Sequence, residues 1–536
     1  MTVPVQPRSH LTEKPAKSAI GPQRIVRHTS YKSGLLAGLI VLITLVAYVP
    51  ALQGGFIWDD DSYVTENPTL RSVQGLAKIW LEPRSNPQYY PLVFSSFWVE
   101  YHLWGLNPMG YHAVNALLHG LAAVLLWLLL KRIKVPGALL AAAVFALHPV
   151  HVESVAWITE RKNVLSGLFY LGSALCLVRF FGLEQEGTEQ RQRFWWYYGS
   201  GLFLFTCALL SKTVTCTLPA AMVLLLWWKR GKVRRSEAVA LVPFFLLGLG
   251  FGLLTAWLEQ HHVGALGSEW ELSFVDRFLV AGRVLWFYAG KLVWPAVLIF
   301  NYPRWHIDAG VWWQYLYPLS VLLVILVLWV FRQRIGRGPL VGVLFFCGTL
   351  FPALGFFDVY PFRYSYVADH FQYLASVGLI ALAASAFTLA ASRLSFWPKR
   401  VGVALSLVVL MALAGQTWSQ SHVYKDWKTV WTKTLEKNPE SALAHYNLGR
   451  LLLGQHKFEE AISHFSKAMP LKPNSAEIHN NLGVALAGAG RLDEAASQFA
   501  EALRVNPDHA KARRNLERVM RLLEKPLPDS VTHAKP

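Results

Sequence analysis

Long apolar runs alternate with short polar stretches over most of the chain, and this alternation dominates the sequence. A run of about 20 apolar residues is long enough to cross a bilayer as a helix, and helices satisfy their own backbone hydrogen bonds there. The pattern predicts an all-α fold with a polytopic helical membrane domain of about eleven spans. The predicted spans are 34–52, 112–130, 136–150, 163–181, 196–211, 214–228, 238–257, 312–331, 339–357, 373–392 and 401–418.

Clusters of lysine and arginine between these runs predict the orientation. Such clusters stay on the cytoplasmic side, and all four do so only if segment 276–300 does not cross. That segment contains Arg283, Lys291 and Pro295, which favours an interfacial or re-entrant helix within a long external loop, 258–311. The N-terminus is then inside and the C-terminus outside. The clusters are KRIK at 131–134, KRGKVRR at 229–235, RQRIGR at 332–337 and RLSFWPKR at 393–400.

Composition agrees with a membrane protein. Of 536 residues, 54% are hydrophobic and only 16% are charged, whereas soluble proteins have about 25% charged residues. The net charge of +18 could suggest a nucleic-acid partner. The basic residues, however, lie in short stretches between apolar runs, and this distribution argues against nucleic acid and for a lipid bilayer. The four cysteines lie in apolar stretches without metal-ligand spacing, so we expect them to be packing residues.

A 34-residue period appears after position 438. The pairs Leu448–Gly449 and Leu482–Gly483 are one period apart, and prolines recur with the same spacing. This is the length and pattern of tetratricopeptide repeats, short α-solenoids whose surface can bind a protein partner. The predicted domains are a disordered basic cytoplasmic tail (1–33), the membrane domain (34–421), the repeats (422–524) and a disordered tail (525–536).

Three consecutive carboxylates follow the first predicted span, in FIWDDDSYVTENP at 56–68. Asp59, Asp60 and Asp61 repel one another unless water, a cation or a polar substrate offsets their charge. One of them could act as a base on an acceptor hydroxyl, or hold a divalent cation near a phosphate. The alternative is a solvated start of an external loop.

HPVHVES at 148–154 places His148, His151 and Glu153 just beyond a predicted span. These side chains could contact substrate or metal, although their spacing is not a specific metal signature. Capping of the helix end with interfacial anchoring is the alternative. Arg161 and Lys162 begin the next span, where cations either meet a lipid phosphate or extend to the interface.

Two further polar sites border the predicted external face. Lys212 interrupts an apolar hairpin, and an anionic partner is the simplest explanation. In FRYSYVADHFQYL at 362–374, an arginine beside tyrosines suits a phosphate and a sugar ring. An aromatic belt with paired charges is the alternative. The candidate binding residues in this stretch are Arg363, Tyr364, Asp369, His370 and Tyr373.

Together these sites combine carboxylates, cations and aromatic side chains at one membrane face. Transfer of a sugar from a lipid-phosphate carrier needs this combination. The phosphate leaving group needs cations, the acceptor hydroxyl needs a base, and the carrier's tail needs apolar spans.

FIWDDDSYVTENP, HPVHVESVAWITERKNVLSGLFY, ADHFQYLASVG and the terminal repeats occur in this order over roughly 34–520. In this combination the chain resembles the transmembrane and tetratricopeptide-repeat-containing O-mannosyltransferases, as a bacterial relative. The resemblance implies the GT-C glycosyltransferase fold, with a catalytic site in the first external loop. It also implies a polyprenyl- or dolichyl-phosphate sugar donor and action on the extracytoplasmic side.

Carried onto this sequence, the paired acidic motif of the family falls on Asp59 and Asp60, one of which would accept the acceptor's proton. Asp61 is an additional carboxylate. The implied function is transfer of a sugar such as mannose from a polyprenyl-phosphate carrier to a protein or glycan hydroxyl, in the bacterial inner membrane. The sequence fixes no cofactor; a divalent cation stays open, because this fold can transfer lipid-phosphate sugars without one.

Two other functional classes make different predictions. A non-enzymatic scaffold for cell-envelope assembly would need the repeats but not the aspartates, so deletion of 438–536 would abolish its function. A flippase for lipid carriers would need ionisable groups deep within spans. Glu153, Lys212 and Asp369 fall near the ends of spans instead.

Overall fold

The computed structural model describes residues 2, 23–184, 194–263, 272–393 and 399–526. Every regular element in these ranges is helical, which confirms the predicted all-α fold. The predicted tails, 1–33 and 525–536, fall for the most part outside the described residues.

Fifteen α-helices precede the repeats in the described ranges, and short 3-10 or π turns connect several of them. They are α1 (Gln23–Ala47), α2 (Val73–Leu81), α3 (Pro91–Trp104), α4 (Pro108–Arg132), α5 (Ala138–Leu147), α6 (Val152–Ala156), α7 (Arg161–Phe181), α8 (Trp195–Ser211), α9 (Leu218–Arg230), α10 (Arg235–Leu258), α11 (Phe274–Val293), α12 (Leu316–Phe331), α13 (Gly338–Leu350), α14 (Ser376–Arg393) and α15 (Lys399–Ser421).

Six helical segments in the described ranges are long and apolar enough to cross a membrane, so this is a multi-pass membrane protein. A bent pair, Ala138–Leu147 with Pro149–Ala156, would be a seventh span, and Tyr31–Ala47 and Gly338–Ala353 are shorter apolar helices. The total of about eleven stays a prediction. The six segments are Pro108–Arg132, Ile158–Phe181, Arg235–His262, Trp312–Phe331, Ser376–Arg393 and Arg400–Tyr424.

Helix α11 is not one of these six, and both of its ends contact the same end of the bundle. Near its start, Arg277 Nη2 lies 2.8 Å from the Asp358 carboxylate, in the loop after α13. Near its end, the carbonyl of Leu292 is 3.0 Å from Nε2 of His148, which follows α5. Helix α11 therefore lies across the end of the bundle, consistent with the interfacial placement that the charge clusters favour.

Six helices form the C-terminal region, and they pack in the sequential pairs that the period predicts. Glycines at equivalent positions allow this close approach: Gly449 faces the ring of Phe465, and Gly483 faces that of Phe499. The helices are α16 (Trp427–Lys437), α17 (Ala442–Gly454), α18 (Phe458–Leu471), α19 (Ala476–Gly488), α20 (Leu492–Val505) and α21 (Ala510–Leu522).

The first helices of this region are part of the membrane domain's core rather than a separate body. Trp431 is 1% exposed and belongs to the same apolar cluster as the membrane helices. Hydrogen bonds reinforce the junction: Asn438 Nδ2 donates to the carbonyl of Asn301 (3.1 Å), and Ser441 Oγ donates to its side chain (2.7 Å). The repeats are thereby held at the loops that precede α12.

Gly449→Ala is expected to loosen the repeats, because a Cβ there would lie 2.6 Å from Cε1 of Phe465. Overpacking of this kind costs about 1–3 kcal/mol. The control is Gly454→Ala in the same helix, where nothing lies within 4 Å and alanine gains up to about 1 kcal/mol. The measurement is the urea concentration at which the repeats of the full chain become protease-sensitive. Equal midpoints for both variants would contradict the close approach.

Candidate active site

A strained turn presents the three aspartates. Trp58 has φ +46, a left-handed conformation that costs a non-glycine residue about 1–3 kcal/mol unless its surroundings fix it. Its ring stacks on Trp157 at 5.5 Å between centroids and meets the edges of Phe300 (5.3 Å) and Trp431 (5.8 Å). Packing against these three rings fixes the position of Trp58. It therefore also fixes the direction of the backbone at Asp59.

Asp60 is fully buried, and its carboxylate is occupied by protein donors. Oδ1 accepts hydrogen bonds from the backbone N–H (2.8 Å) and hydroxyl (2.6 Å) of Thr159, and Oδ2 accepts one from the N–H of Ile57 (2.8 Å). Burial raises the pKa of Asp60 to about 7, although these donors favour the anion. Its bonds tie the aspartate turn to the residues that precede α7.

Asp59 differs from both neighbours. Its side chain is only half-buried, and within the described ranges no group donates a hydrogen bond to it. Burial raises the pKa of Asp59 to about 6, against the lowering effect of Lys162 and with smaller contributions from Glu160 and Asp61. Asp61, in contrast, accepts a hydrogen bond from the Thr65 hydroxyl (3.1 Å). Asp59 therefore differs from Asp60 and Asp61 in that no described group donates to its carboxylate, and it is a stronger base than an ordinary aspartate.

A buried carboxylate shared by two lysines lies beside this turn. Glu160 is 1% exposed; its Oε1 is 2.9 Å from Nζ of Lys162, and its Oε2 is 3.4 Å from Nζ of Lys212. Lys212 also donates to Oδ1 of Asn163 (2.7 Å). The anionic partner that the position of Lys212 predicts is thus Glu160. Burial lowers the pKa of Lys212 to about 8, against the raising effect of Glu160.

The arginine–tyrosine stretch borders the same space as the aspartate turn. Arg363 Nη1 donates to the hydroxyl of Tyr360 (2.9 Å), and its guanidinium lies over the Tyr360 and Tyr364 rings. Burial raises the pKa of Tyr364, and the negative charge of Asp59 adds to that rise. Trp58, Arg363 and Tyr364 line one cavity of about 570 Å³. The structure therefore brings these two sequence-predicted sites together.

A buried polar network lies next to this cavity. It contains Glu153, Asp369 and His370. Glu153 Oε2 accepts a hydrogen bond from the backbone N–H of His370 (2.9 Å), and Oε1 lies 3.2 Å from its Nδ1. The hydroxyl of Tyr302 donates to Asp369 (3.0 Å). Nε2 of His370 is 3.8 Å from Glu160. The network connects to the lysine cluster through His370 and positions the loop before α14.

Arg161 is buried among protein partners. The side chain has no exposed surface, and it forms a bidentate ion pair with Glu100, with N–O distances of 2.5 and 3.1 Å. Its remaining N–H groups donate to the side chains of Asn115 and Ser96 and to the carbonyl of Tyr111. All five donors are used within the protein. The geometry supports a structural ion pair rather than contact with a lipid phosphate.

The remaining histidines and Tyr373 are packed within the core. His148 accepts a hydrogen bond from Val150 N at Nδ1 (3.4 Å), which caps the start of the short 3-10 turn Pro149–His151 that follows α5. His151 has no exposed surface and lies against Phe145 and Tyr373. The Tyr373 hydroxyl is 2.9 Å from Nδ1 of His119. None of the three lines the cavity beside Trp58.

Sequence inspection missed three functional neighbours, Trp157, Thr159 and Glu160, which lie in one stretch, WITE. A signal for Glu160 was available. A carboxylate directly before Arg161 and Lys162, at the start of a span, is costly unless it is paired. The ring of Trp157 and the hydroxyl of Thr159 gave no comparable signal.

Across the described ranges, no group of three His, Cys, Asp or Glu residues is close enough to hold a metal ion.

Comparison with known proteins identifies relatives over most of the chain. It is 27% identical to "Protein O-mannosyl-transferase F38B6.6" of Caenorhabditis elegans over 469 residues, which cover 83% of this chain and 64% of that relative. The match to human "Protein O-mannosyl-transferase TMTC1" has the same identity and covers 80% and 54%. That to mouse TMTC4 is 26% identical and covers 80% and 66%. The relatives of this chain are named protein O-mannosyl-transferases.

The chain spans about one half to two thirds of the length of these relatives. Its C-terminal region matches family models described as "TPR repeat" at 449–490 and "Tetratricopeptide repeat" at 430–463 and 476–509. These matches confirm the repeats and the predicted resemblance to the repeat-containing O-mannosyltransferases.

Proposed function

We propose that this chain is a glycosyltransferase that moves a hexose from a polyprenyl-phosphate carrier to a polypeptide hydroxyl, with Asp59 as the base. Mannose is the sugar named for its relatives. The observation that carries the proposal is the state of Asp59: a half-buried carboxylate without hydrogen-bond donors, beside paired lysines and next to the cavity that Arg363 and Tyr364 line. A base needs this accessibility, and its raised pKa lies close to neutral pH.

The reaction is a single displacement at the anomeric carbon. The acceptor oxygen forms the new bond to that carbon, and the carbon–oxygen bond to the carrier phosphate breaks, so the phosphate leaves with the electron pair. Asp59 takes the proton of the acceptor hydroxyl. Attack from the face opposite the phosphate inverts the anomeric configuration.

The lysine cluster would stabilise the departing phosphate. The ammonium groups of Lys162 and Lys212, both held by Glu160, are the cations that would face the departing phosphate oxygens. Asp60 acts through its bonds to Thr159, which fix the turn that carries Asp59. Preorganisation of this kind avoids reorientation of the charged groups during the reaction.

The proposed location is the bacterial inner membrane, with the N-terminus in the cytoplasm and the repeats on the extracytoplasmic side. The positions of the charged segments at the two ends of the helices support this orientation. The lysine and arginine clusters at 131–134 and 229–235 lie at the C-terminal ends of α4 and α9, whereas the aspartate turn precedes α2 and lies at the opposite end of α4.

The test is transfer by the purified full chain in lipid bilayers. Polyprenyl-phosphate mannose and polyprenyl-phosphate glucose are each supplied with serine- and threonine-containing peptides, and modified peptides are identified by mass spectrometry. We expect a hexose on a hydroxyl with one of the donors and none with the corresponding sugar nucleotide. Absence of transfer from every lipid-linked donor would contradict the proposal.

A bell-shaped pH profile is expected for this transfer. Activity rises as pH increases through about 6, because the raised pKa of Asp59 delays formation of the carboxylate. It falls above about 8, because Lys212, with its lowered pKa, loses its charge there. Lys212→Arg should flatten the alkaline limb, since a guanidinium stays protonated. An alkaline limb that persists unchanged in this variant would exclude Lys212 as its cause.

A further inference from the structure

Two histidines meet between the helices of the first complete repeat. Nδ1 of His445, in α17, lies 3.0 Å from Nδ1 of His464, in α18, and His445 is only 7% exposed. We propose that this His445–His464 pair is an acid-sensitive contact, which holds α17 against α18 with one added proton but opens when a second proton binds. The inference concerns the packing of the repeats and does not depend on the proposed function.

A backbone carbonyl determines which nitrogen of His445 carries the proton. Nε2 of this ring lies 3.1 Å from the carbonyl oxygen of Pro439. A carbonyl only accepts hydrogen bonds, so Nε2 is protonated, and neutral His445 then offers a lone pair at Nδ1. The hydrogen bond between the two rings therefore requires that Nδ1 of His464 donates.

The pair can bind one further proton without losing this hydrogen bond. A proton on Nε2 of His464 makes that ring cationic and strengthens its donation to His445. A second proton would have to bind Nδ1 of His445, which is the acceptor. The hydrogen bond would then be lost, and two cationic rings would face each other with nitrogens 3.0 Å apart.

The surroundings of the pair also oppose the second proton. Burial lowers the pKa of both imidazoles, and the charge of Lys467 lowers the pKa of each one further. Glu460 raises the pKa of His464, but this glutamate is exposed and lies 3.5 Å from Lys457. Both charged side chains that act on the pair belong to α18. Among the described residues, α16 and α19, which pack against these helices, add no charged group to these effects.

The second repeat has a different partner at the equivalent position. His479 and Gln498 lie one period after His445 and His464. His479 makes the same carbonyl contact, to Pro473 (3.0 Å), and its Nδ1 lies 2.8 Å from Oε1 of Gln498. A carboxamide can offer its oxygen to a protonated imidazole and its NH2 group to a neutral one. The second repeat is therefore compatible with either charge state of its histidine.

The His445–His464 pair lies at the junction between the repeats and the membrane domain. The carbonyl that His445 contacts belongs to the residue after Asn438, and both Asn438 and Ser441 donate hydrogen bonds to Asn301. The start of α17 also lines the cavity beside Trp58. Separation of α17 from α18 in acid would therefore loosen one wall of that cavity, while the second repeat keeps its packing.

Proton binding weakens the packing of α17 on α18 as pH falls. In the open state both imidazoles bind a proton near their ordinary pKa of about 6.5, whereas the closed pair binds one proton in total. Because the open state binds one more proton, each pH unit below about 6.5 should favour opening about tenfold. The contact is therefore fully stabilising above this pH and progressively less so below it.

The test measures hydrogen exchange of the full chain in nanodiscs at about pH 7.5 and about pH 5. Protection factors are compared, so that the intrinsic pH dependence of amide exchange is removed. We expect the protection of α17 and α18 to fall about tenfold or more in acid. Helices α19 and α20 are the internal reference and should change far less. An equal change in both helix pairs, or no change in α17 and α18, would overturn the proposal.

Two substitutions exchange the partners between the repeats. His464→Gln gives the first repeat the histidine–glutamine pair of the second, and it should remove the acid-dependent loss of protection in α17 and α18. Gln498→His makes the reverse change and should produce such a loss in α19 and α20. This second variant also tests the proposal if the first does not fold.

The two variants separate the histidine pair from other groups that bind protons in acid. A loss of protection that persists unchanged in His464→Gln would assign it to carboxylates such as Glu460 and contradict the proposal. A second repeat that stays insensitive to acid in Gln498→His would contradict it too. Neither substitution alters the carboxylates or lysines of the proposed active site, so both outcomes are independent of sugar transfer.

Discussion

Replacing Asp59 by asparagine is expected to lower the rate of sugar transfer by about 10²–10⁴-fold, the usual contribution of a positioned base. The substitution removes the proton acceptor while keeping the size of the side chain. Because no described group donates a hydrogen bond to this carboxylate, the turn should keep its conformation. The measurement is the initial rate in bilayers with a saturating lipid-linked donor, together with the thermal midpoint of the variant.

Glu66→Gln is the matched control. It makes the same change of charge at an exposed residue a few positions further along the chain, and its rate should stay within about twofold. Asp60→Asn should behave differently from both. Its new N–H donors would face the N–H of Ile57, which costs about 1–3 kcal/mol, so both stability and rate should fall. Full activity of Asp59→Asn, with loss of function on deletion of 438–536, would favour the scaffold hypothesis instead.

Arg161→Met is expected to lower the free energy of unfolding by about 3–5 kcal/mol, because it leaves the buried carboxylate of Glu100 without its partner. The double variant Arg161→Met with Glu100→Met should recover part of the loss, since it removes both charges. Apparent unfolding temperatures in detergent compare the three proteins. Arg334→Met, at an exposed position, should stay within about 0.5 kcal/mol.

The double variant distinguishes a structural role of this arginine from a role in donor binding. If Arg161 contacted the lipid phosphate, the single and double variants would lose donor binding equally and keep their stability. A stable Arg161→Met protein with a raised KM for the donor would therefore restore the sequence-based interpretation. We expect the reverse: low stability in the single variant and partial recovery in the double one.

The elements of this fold were predictable where the sequence pattern was local. Apolar runs predicted the membrane helices, and the 34-residue period predicted the repeats, because each reflects spacing within a short stretch. The aspartate turn was also visible, since three adjacent carboxylates need an explanation. The resemblance of the whole pattern to O-mannosyltransferases agrees with the relatives found.

The role of each side chain within the site was not predictable, because contacts with residues distant in sequence decide that role. Asp60 is satisfied by Thr159, which lies 99 positions away, and this contact helps to distinguish it from Asp59. Glu100 lies 61 positions from Arg161, and this pairing makes the arginine structural. Adjacent residues of the same type thus acquire different environments from tertiary packing, which a local pattern does not contain.

The contact between Trp58 and Trp431 has a consequence for chimeras of this protein and its relatives. A junction at the change of composition near 421 would bring a foreign α16 against the turn that carries Asp59, because Trp431 comes from that helix. A junction after Leu471 would keep α16, α17 and α18 with their native membrane domain. Exchange of acceptor preference between homologues should therefore be attempted at the later junction, where two ordinary repeats meet.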